Sequence, residues 1–173
     1  MDEAPGFEEF AANGARRLFH VAYLMCGDWH RAQDLVQTTL AKMYAVWGRL
    51  RQGEDDPGLD AYARKVLLRT YLSQRRLRRS GEIAVADLTD LASGLGHSWG
   101  GSADLRLTLL AALRQLPSRN RAVVVLRYLE DHSVEAVAEI LGCSTGAVKN
   151  LSSRSLAKLR EILGDDRELL FRE

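Results

Sequence analysis

Apolar residues recur at helical spacing through most of this chain, and the stretches where the pattern fails are rich in glycine. Phe7, Phe10, Ala11, Leu18, Val21, Ala22 and Met25 mark an amphipathic helix over 7–25. Gly27-Asp28 breaks it, and Asp28 is placed to cap a second helix over 29–50. That helix turns Ala32, Leu35, Val36, Thr39, Leu40, Met43, Val46, Trp47 and Leu50 inward. Residues 51–58, rich in glycine and acid and closed by Pro57-Gly58, predict a loop. A third helix then runs from Leu59 to Leu77, a fourth from Asp104 to Leu116, where Pro117 stops it, and a fifth from Arg119 to Tyr128, capped by Ser118.

Residues 133–160 carry the sharpest signal. Val134, Val137, Ala138 and Leu141 fall at i, i+3, i+4 and i+7, one apolar face of a short helix with Ser133 as its cap. Gly142 supplies the stop, because glycine takes positive φ without a Cβ clash. Ser144 or Thr145 then caps another helix, with Val148, Ser155, Leu156 and Leu159 inward and Lys149, Asn150, Ser153, Arg154 and Lys158 on the opposite face. A short helix, a glycine turn and a helix whose first half is polar and basic have the geometry that enters a DNA major groove. An ordinary helical hairpin with a solvated face is the alternative for this segment taken by itself.

No strand-like alternation and no internal repeat interrupts the helical pattern, so the fold class is all-α. The chain divides into a helical module over 7–79, a Gly/Ser-rich acidic linker over 80–103, a second helical module over 104–163 and an acidic tail over 164–173. At 173 residues, either module is large enough for a small core.

Composition narrows the function mainly by exclusion. No apolar run approaches the roughly 18 residues of a membrane span. The acidic start, Met1-Asp-Glu-Ala-Pro-Gly, lacks the basic-then-apolar order of a signal peptide, so a cytoplasmic location without membrane contact is expected. Cys26 and Cys143 match no C-x-x-C spacing and read as small apolar residues. The four histidines are scattered without ligand spacing, so neither metal nor cofactor is expected. With no phosphate-cradling glycine loop and no nucleophile elbow, the chain is not read as an enzyme.

A formal net charge of +1 hides strong segregation. Residues 64–79 hold seven basic side chains and no acid, residues 80–104 four acids and no base, and residues 105–163 nine bases against five acids. Arg64, Lys65, Arg69, Arg75, Arg76, Arg78 and Arg79 have no acid among them to pair with, and they repel one another unless a polyanion neutralises them. Tyr62, Tyr71 and Trp47 are interleaved with or adjacent to this helix and can stack on bases or pack the core. Core packing is favoured for Trp47 and Tyr71.

At Gly27-Asp28, Asp34-Leu-Val-Gln-Thr-Thr-Leu40, Ala61-Tyr-Ala-Arg-Lys-Val66, Thr70-Tyr-Leu72 and Arg75-Arg76, the first module resembles region 2 of the extracytoplasmic-function sigma factors. The second module resembles their region 4 through Leu113-Arg-Gln-Leu-Pro117, Arg121-Ala-Val-Val-Val-Leu-Arg-Tyr128 and Gly146-Ala-Val-Lys149 with Arg154. The finer likeness is to the actinobacterial sigma-E-like subgroup. The resemblance implies a subunit that gives core RNA polymerase its promoter specificity and helps to open the duplex, with an anti-sigma factor as a further candidate partner. It implies that Asp34, Gln37 and Thr38 dock on the clamp of the largest polymerase subunit. It also implies that the third helix, with Arg64, Lys65, Arg69, Arg75 and Arg76, holds the melted minus-ten element, where backbone cations and stacking surfaces suit single-stranded DNA.

Lys149, Asn150, Ser153 and Arg154 would then face the minus-35 duplex, where arginine and lysine suit guanine and asparagine suits adenine. Backbone amides near Thr145 and Gly146 suit a phosphate, and Arg119 and Arg121 are expected to touch phosphates rather than bases. The chain departs from the family pattern at Ala147, where threonine is frequent, at Arg69 for asparagine, at Gln74 for tryptophan, and at Asn150-Leu151. These departures bear on which promoter is read. A one-piece helix-turn-helix regulator accounts for 104–163 equally well but gives no reason for the acid-free basic helix. A helical adaptor predicts no DNA affinity in either module, and a hydrolase built on His20 and His30 would require bound metal.

Overall fold

A computed structural model describes residues 6–50, 57–77 and 103–166. Seven α-helices order these residues: α1 (Phe7–Cys26), α2 (Trp29–Leu50), α3 (Pro57–Leu77), α4 (Ala103–Arg114), α5 (Ser118–Val124), α6 (Val134–Leu141) and α7 (Thr145–Leu163). A π-helical turn, Val125–Leu129, extends α5, and a 3₁₀ turn, Gly164–Asp166, ends the described chain. No strand occurs among the described residues, which bears out the all-α reading. The loop 51–56, Arg78 and Arg79, the linker as far as Ser102 and the tail beyond Asp166 lie outside them. Ala103, assigned to the linker by sequence, opens α4.

The first three helices pack on one another. Leu18, Val21, Leu24 and Met25 of α1 meet Leu35, Met43 and Trp47 of α2 and Leu67, Leu68 and Tyr71 of α3, all buried. Trp47 is 2% exposed and its ring lies 5.2 Å from Phe7 and 5.1 Å from Phe10, so it is a core residue. Gly27 ends α1 at φ 64°, and its N–H donates to Tyr23 O. Asp28 Oδ1 accepts from Arg31 N at 2.9 Å and starts α2. Pro57 and Gly58, expected in the loop, instead form the first turn of α3. Proline suits that position because its missing N–H would have no helical partner there.

In the second module α7 packs against α4, α5 and α6. Ser133 Oγ accepts from Ala136 N at 3.0 Å, Gly142 stops α6 at φ 63°, and Ser144 Oγ accepts from Ala147 N at 3.1 Å. One local expectation fails. Pro117, not Ser118, holds the cap position of α5 and makes no side-chain capping bond; Ser118 is the first helical residue. Its hydroxyl accepts from Arg75 Nε of α3 at 2.9 Å. Ala122 to Leu126 are all buried, so α5 is a central helix surrounded by apolar neighbours.

Candidate nucleic-acid interface

The helix expected to enter a major groove is α7. Its buried side, Val148, Ser152, Ser155, Leu159 and Leu163, fixes which way the opposite side must point. Lys149 with Ser153, and Asn150 with Arg154, are i, i+4 pairs, and all four are exposed. Among the described residues neither Lys149 nor Arg154 forms an ion pair. Ser144 satisfies the Ala147 amide, which leaves the Thr145 and Gly146 amides at the open, positive end of the helix. Arg119 is exposed near the start of α5. These side chains could meet a duplex without rearrangement.

Arg121 is a correction. Read from sequence as a phosphate contact, it is 3% exposed and turned into the protein. Its Nε donates to Leu113 O at 2.7 Å, Nη2 to Arg114 O and Leu116 O at 3.0 and 3.1 Å, and Nη1 to Met25 O at 2.6 Å. Nη1 also lies 3.5 Å from Tyr71 Oη, which itself donates to Met25 O at 2.9 Å. The carbonyls belong to the final turns of α1 and α4 and the residues just after α4, where helical carbonyls lack intrahelical partners and the helix dipole is negative. Burial lowers the guanidinium pKa, offset in part by the Tyr71 phenol. An arginine nonetheless stays charged.

Two cations of α3 are not left unneutralised as the sequence suggested, because acids from the second module reach them. Glu130 Oε2 lies 3.6 Å from Arg64 Nη2 and Glu139 Oε1 3.5 Å from Lys65 Nζ. Arg75 is held by Ser118, while Arg69 and Arg76 are exposed. Tyr71, 3% exposed, is a core residue, and Tyr62 on α3 is exposed. At the seam between modules, a Cβ on Gly27 would sit 3.0 Å from Arg114 Nε, a tight contact with a flexible side chain, and the positive φ is what favours glycine there. Burial pushes the nearby Cys26 thiol up to about 12, which keeps it protonated and poorly nucleophilic.

On α2, Asp34 and Gln37 are exposed and one turn apart, and Thr38 Oγ1 donates to Asp34 O at 2.8 Å. Thr38 is therefore partly committed to its own helix. Sequence reasoning missed Arg121 as an inter-module contact, and missed Glu130, Glu139 and Ser118 as partners of α3. A signal for Arg121 existed: it abuts the apolar run Ala122 to Leu126, which leaves it no polar face to share. No described helix is long and apolar enough to cross a membrane.

Comparison with known proteins accounts for both modules. The Sigma-70 region 2 family matches residues 12–81, and the Sigma-70, region 4 family matches residues 106–159. The RNA polymerase sigma-E factor of Streptomyces coelicolor is 37% identical over 163 residues, 94% of this chain and 89% of the relative. The ECF RNA polymerase sigma factor EcfG of Rhodopseudomonas palustris is 32% identical over 154 residues, 88% of this chain and 81% of the relative. Among solved structures, the sigma factor RpoE from Bartonella quintana, in complex with the anti-sigma factor NepR, is similar with a TM-score of 0.69. It is 26% identical, and the match covers 94% of this chain and 99% of that one. The chain belongs to the sigma-70 family of RNA polymerase sigma factors and to its extracytoplasmic-function type.

Proposed function

We propose that this sigma factor divides promoter recognition between residues 7–79 and 104–163, joined through 80–103. The second module reads the minus-35 duplex with Lys149, Asn150, Ser153 and Arg154 on base edges. The Thr145 and Gly146 amides and Arg119 hold phosphates. The first module docks on the clamp of the largest polymerase subunit through Asp34, Gln37 and Thr38, and holds the melted minus-ten strand along Arg64, Lys65, Arg69, Arg75 and Arg76. The observation that carries the reading is the recognition face of α7, whose Lys149 and Arg154 stand exposed and unpaired among the described residues while the other side of the helix is packed.

Two tethered contacts act together through effective concentration, so neither module needs to bind tightly alone. Core RNA polymerase and promoter DNA are the obligate partners. An anti-sigma factor is a further one, supported by the Bartonella sigma factor having been solved with NepR. Specificity and melting are binding functions, and no covalent step is assigned to this chain. Run-off transcription with purified core polymerase and the full chain tests the reading: discrete start sites downstream of a shared pair of elements are expected. Starts no different from those of core polymerase alone would refute it.

A further inference from the structure

Where the last residue of α1, the first turns of α2 and the last turns of α3 meet, a pocket of about 120 Å³ opens, lined by Cys26, Arg31, Asp34, Tyr71, Gln74 and Arg75. All six belong to the first module. Their polar groups are poorly satisfied. Arg31 and Asp34 lie one turn apart on α2 and line the same space, yet among the described residues they form no ion pair, the usual outcome for opposite charges at i, i+3. Arg31 and Gln74 are half-buried, and neither side chain has a hydrogen-bond partner among the described residues. Arg75 gives its Nε to Ser118 Oγ and sits 6.0 Å from the centre of the Tyr71 ring, which leaves both Nη groups for the pocket. Partly covered polar groups of this kind gain free energy from any ligand that supplies the missing partners.

Charge and size select that ligand. Two guanidinium groups face one carboxylate across the pocket, and a third, Arg121, acts on the same wall. Burial, the largest effect, raises the Cys26 pKa to about 12, and Arg121, Arg31 and Arg75 pull it down with Asp28 opposing them. Asp28 itself is occupied as the cap of α2. The pocket therefore favours an anion. A phosphate monoester brings three acceptor oxygens, enough for two arginine forks and the Gln74 amide together, where a carboxylate brings two. The Asp34 carboxylate only accepts, so the rest of the ligand must carry donors, and hydroxyl groups supply them without a positive charge to oppose the arginines. A cavity of roughly 150 Å³ holds one six-membered ring, and sites for larger ligands begin near about 300 Å³, so a whole nucleotide is too large.

We propose that this pocket binds a small hydroxylated phosphate ester, with its phosphate on Arg31, Arg75 and Gln74 and its hydroxyls on Asp34, and that the bound ester withdraws Asp34 from the polymerase and Arg75 from DNA. The withdrawal rests on the assignment of those two residues to the clamp and the minus-ten strand; the site itself does not. Arg31 and Gln74 have no part in either assignment and belong to the pocket alone. An ester that binds the free chain better than the assembled one shifts the equilibrium away from assembly by that difference.

Isothermal titration calorimetry of the full chain tests the site, with glycerol 3-phosphate, inorganic phosphate and glycerol as probes. One glycerol 3-phosphate per chain is expected, bound about tenfold more tightly than inorganic phosphate, with no binding of glycerol. Arg31→Gln should weaken it about tenfold. Gln74→Glu, which keeps the side-chain shape and adds a repelling charge, should do the same. Arg16→Gln removes an exposed cation of α1 outside the pocket and should leave the affinity unchanged. No saturable binding would overturn the site. Equal losses in Arg31→Gln and Arg16→Gln would also overturn it, because they would mark a general attraction of the module for anions. Should Arg31→Gln lose its helical circular dichroism, Gln74→Glu decides. A 20-nucleotide single-stranded DNA distinguishes a backbone phosphate from a free ester: strand affinity lost in Arg31→Gln, with no ester bound by the wild type, would give the pocket to DNA and overturn the proposal. Run-off transcription reads the consequence. Saturating glycerol 3-phosphate should lower the wild-type yield about threefold and leave that of Arg31→Gln unchanged. An undiminished wild-type yield would overturn the withdrawal, whereas a chain that gives no promoter-specific transcript even without ester would refute the promoter reading and leave the calorimetry to decide the site.

Discussion

Arg121 and Arg154 are the same residue type in the same module with opposite fates, and the contrast shows how one small module can brace itself inside and still present a cation outward. Arg154 stands on a helix whose other side is packed, so its guanidinium reaches water and has no internal partner among the described residues. Arg121 opens the fully buried stretch of α5, so its guanidinium must find acceptors inside, and the ends of α1 and α4 supply them. A stripe-wise helix exports its cations for use on a ligand. A fully buried stretch of helix turns its cation into a structural part.

The contrast is broken most severely by truncating each residue. Arg121→Ala takes a donor from four carbonyls, three of them buried, and removes a positive group from two negative helix ends. A loss of about 3–5 kcal/mol in unfolding free energy is expected, as for other breaks in buried charge networks, read by urea denaturation. Arg154→Ala should stay within about 0.5 kcal/mol of wild type in the same experiment. Equal stability losses would mean that burial does not separate the two roles.

Binding should reverse the ranking. Arg154→Ala is expected to weaken minus-35 duplex affinity by about 1–3 kcal/mol and to relax sequence preference, if its guanidinium meets a base edge. Anisotropy titrations on matched and scrambled duplexes over a salt series check this. A uniform loss across sequences would assign Arg154 to phosphate instead.

Much of this was legible before any coordinates, and the misses share a cause. Ser133, Gly142 and Ser144 act locally, and their turn and caps follow from residue type and spacing. The exposed set Lys149, Asn150, Ser153 and Arg154 followed from helical periodicity. What the sequence concealed was long-range. Glu130 and Glu139 lie 66 and 74 positions from the cations they meet, and Ser118 lies 43 from Arg75, so counting acids within the basic stretch could not find them. Charge segregation along a chain describes its unfolded field; folding can cancel it.

A smaller effect is expected at the clamp face. Asp34→Ala with Gln37→Ala should weaken assembly with core polymerase about tenfold while leaving helix content unchanged, since both side chains are exposed. Co-sedimentation and circular dichroism measure the two. Assembly at wild-type strength would remove the clamp assignment.

The subtlest probe of the seam is pH, because two titrating groups there oppose each other. Burial lowers the His132 pKa from its ordinary 6.5, and Arg64 lowers it further against the opposing charge of Asp131. The folded state therefore prefers neutral imidazole. That contribution is fully present above about 6.5 and is lost as pH falls through the lowered value. Glu130 moves the other way: burial raises its pKa from 4.5, Arg64 offsets part of the rise and Asp131 adds to it. The folded state prefers the protonated acid, so this contribution is present below about 4.5 and is lost as pH rises through the raised value. As pH falls below about 6.5, acidification costs stability at His132, while protonation of Glu130 nearer the ordinary carboxyl range returns part of it, so the wild-type Tm should fall and then level off between pH 7.5 and 4. Glu130→Gln removes the compensating group and leaves Arg64 without its carboxylate, so its Tm should fall more steeply over the same interval. His132→Asn added to Glu130→Gln should flatten the profile. Matching slopes in wild type and Glu130→Gln would mean that Glu130 does not titrate with folding in this range, and a flat Glu130→Gln profile would exclude His132 as the titrating group.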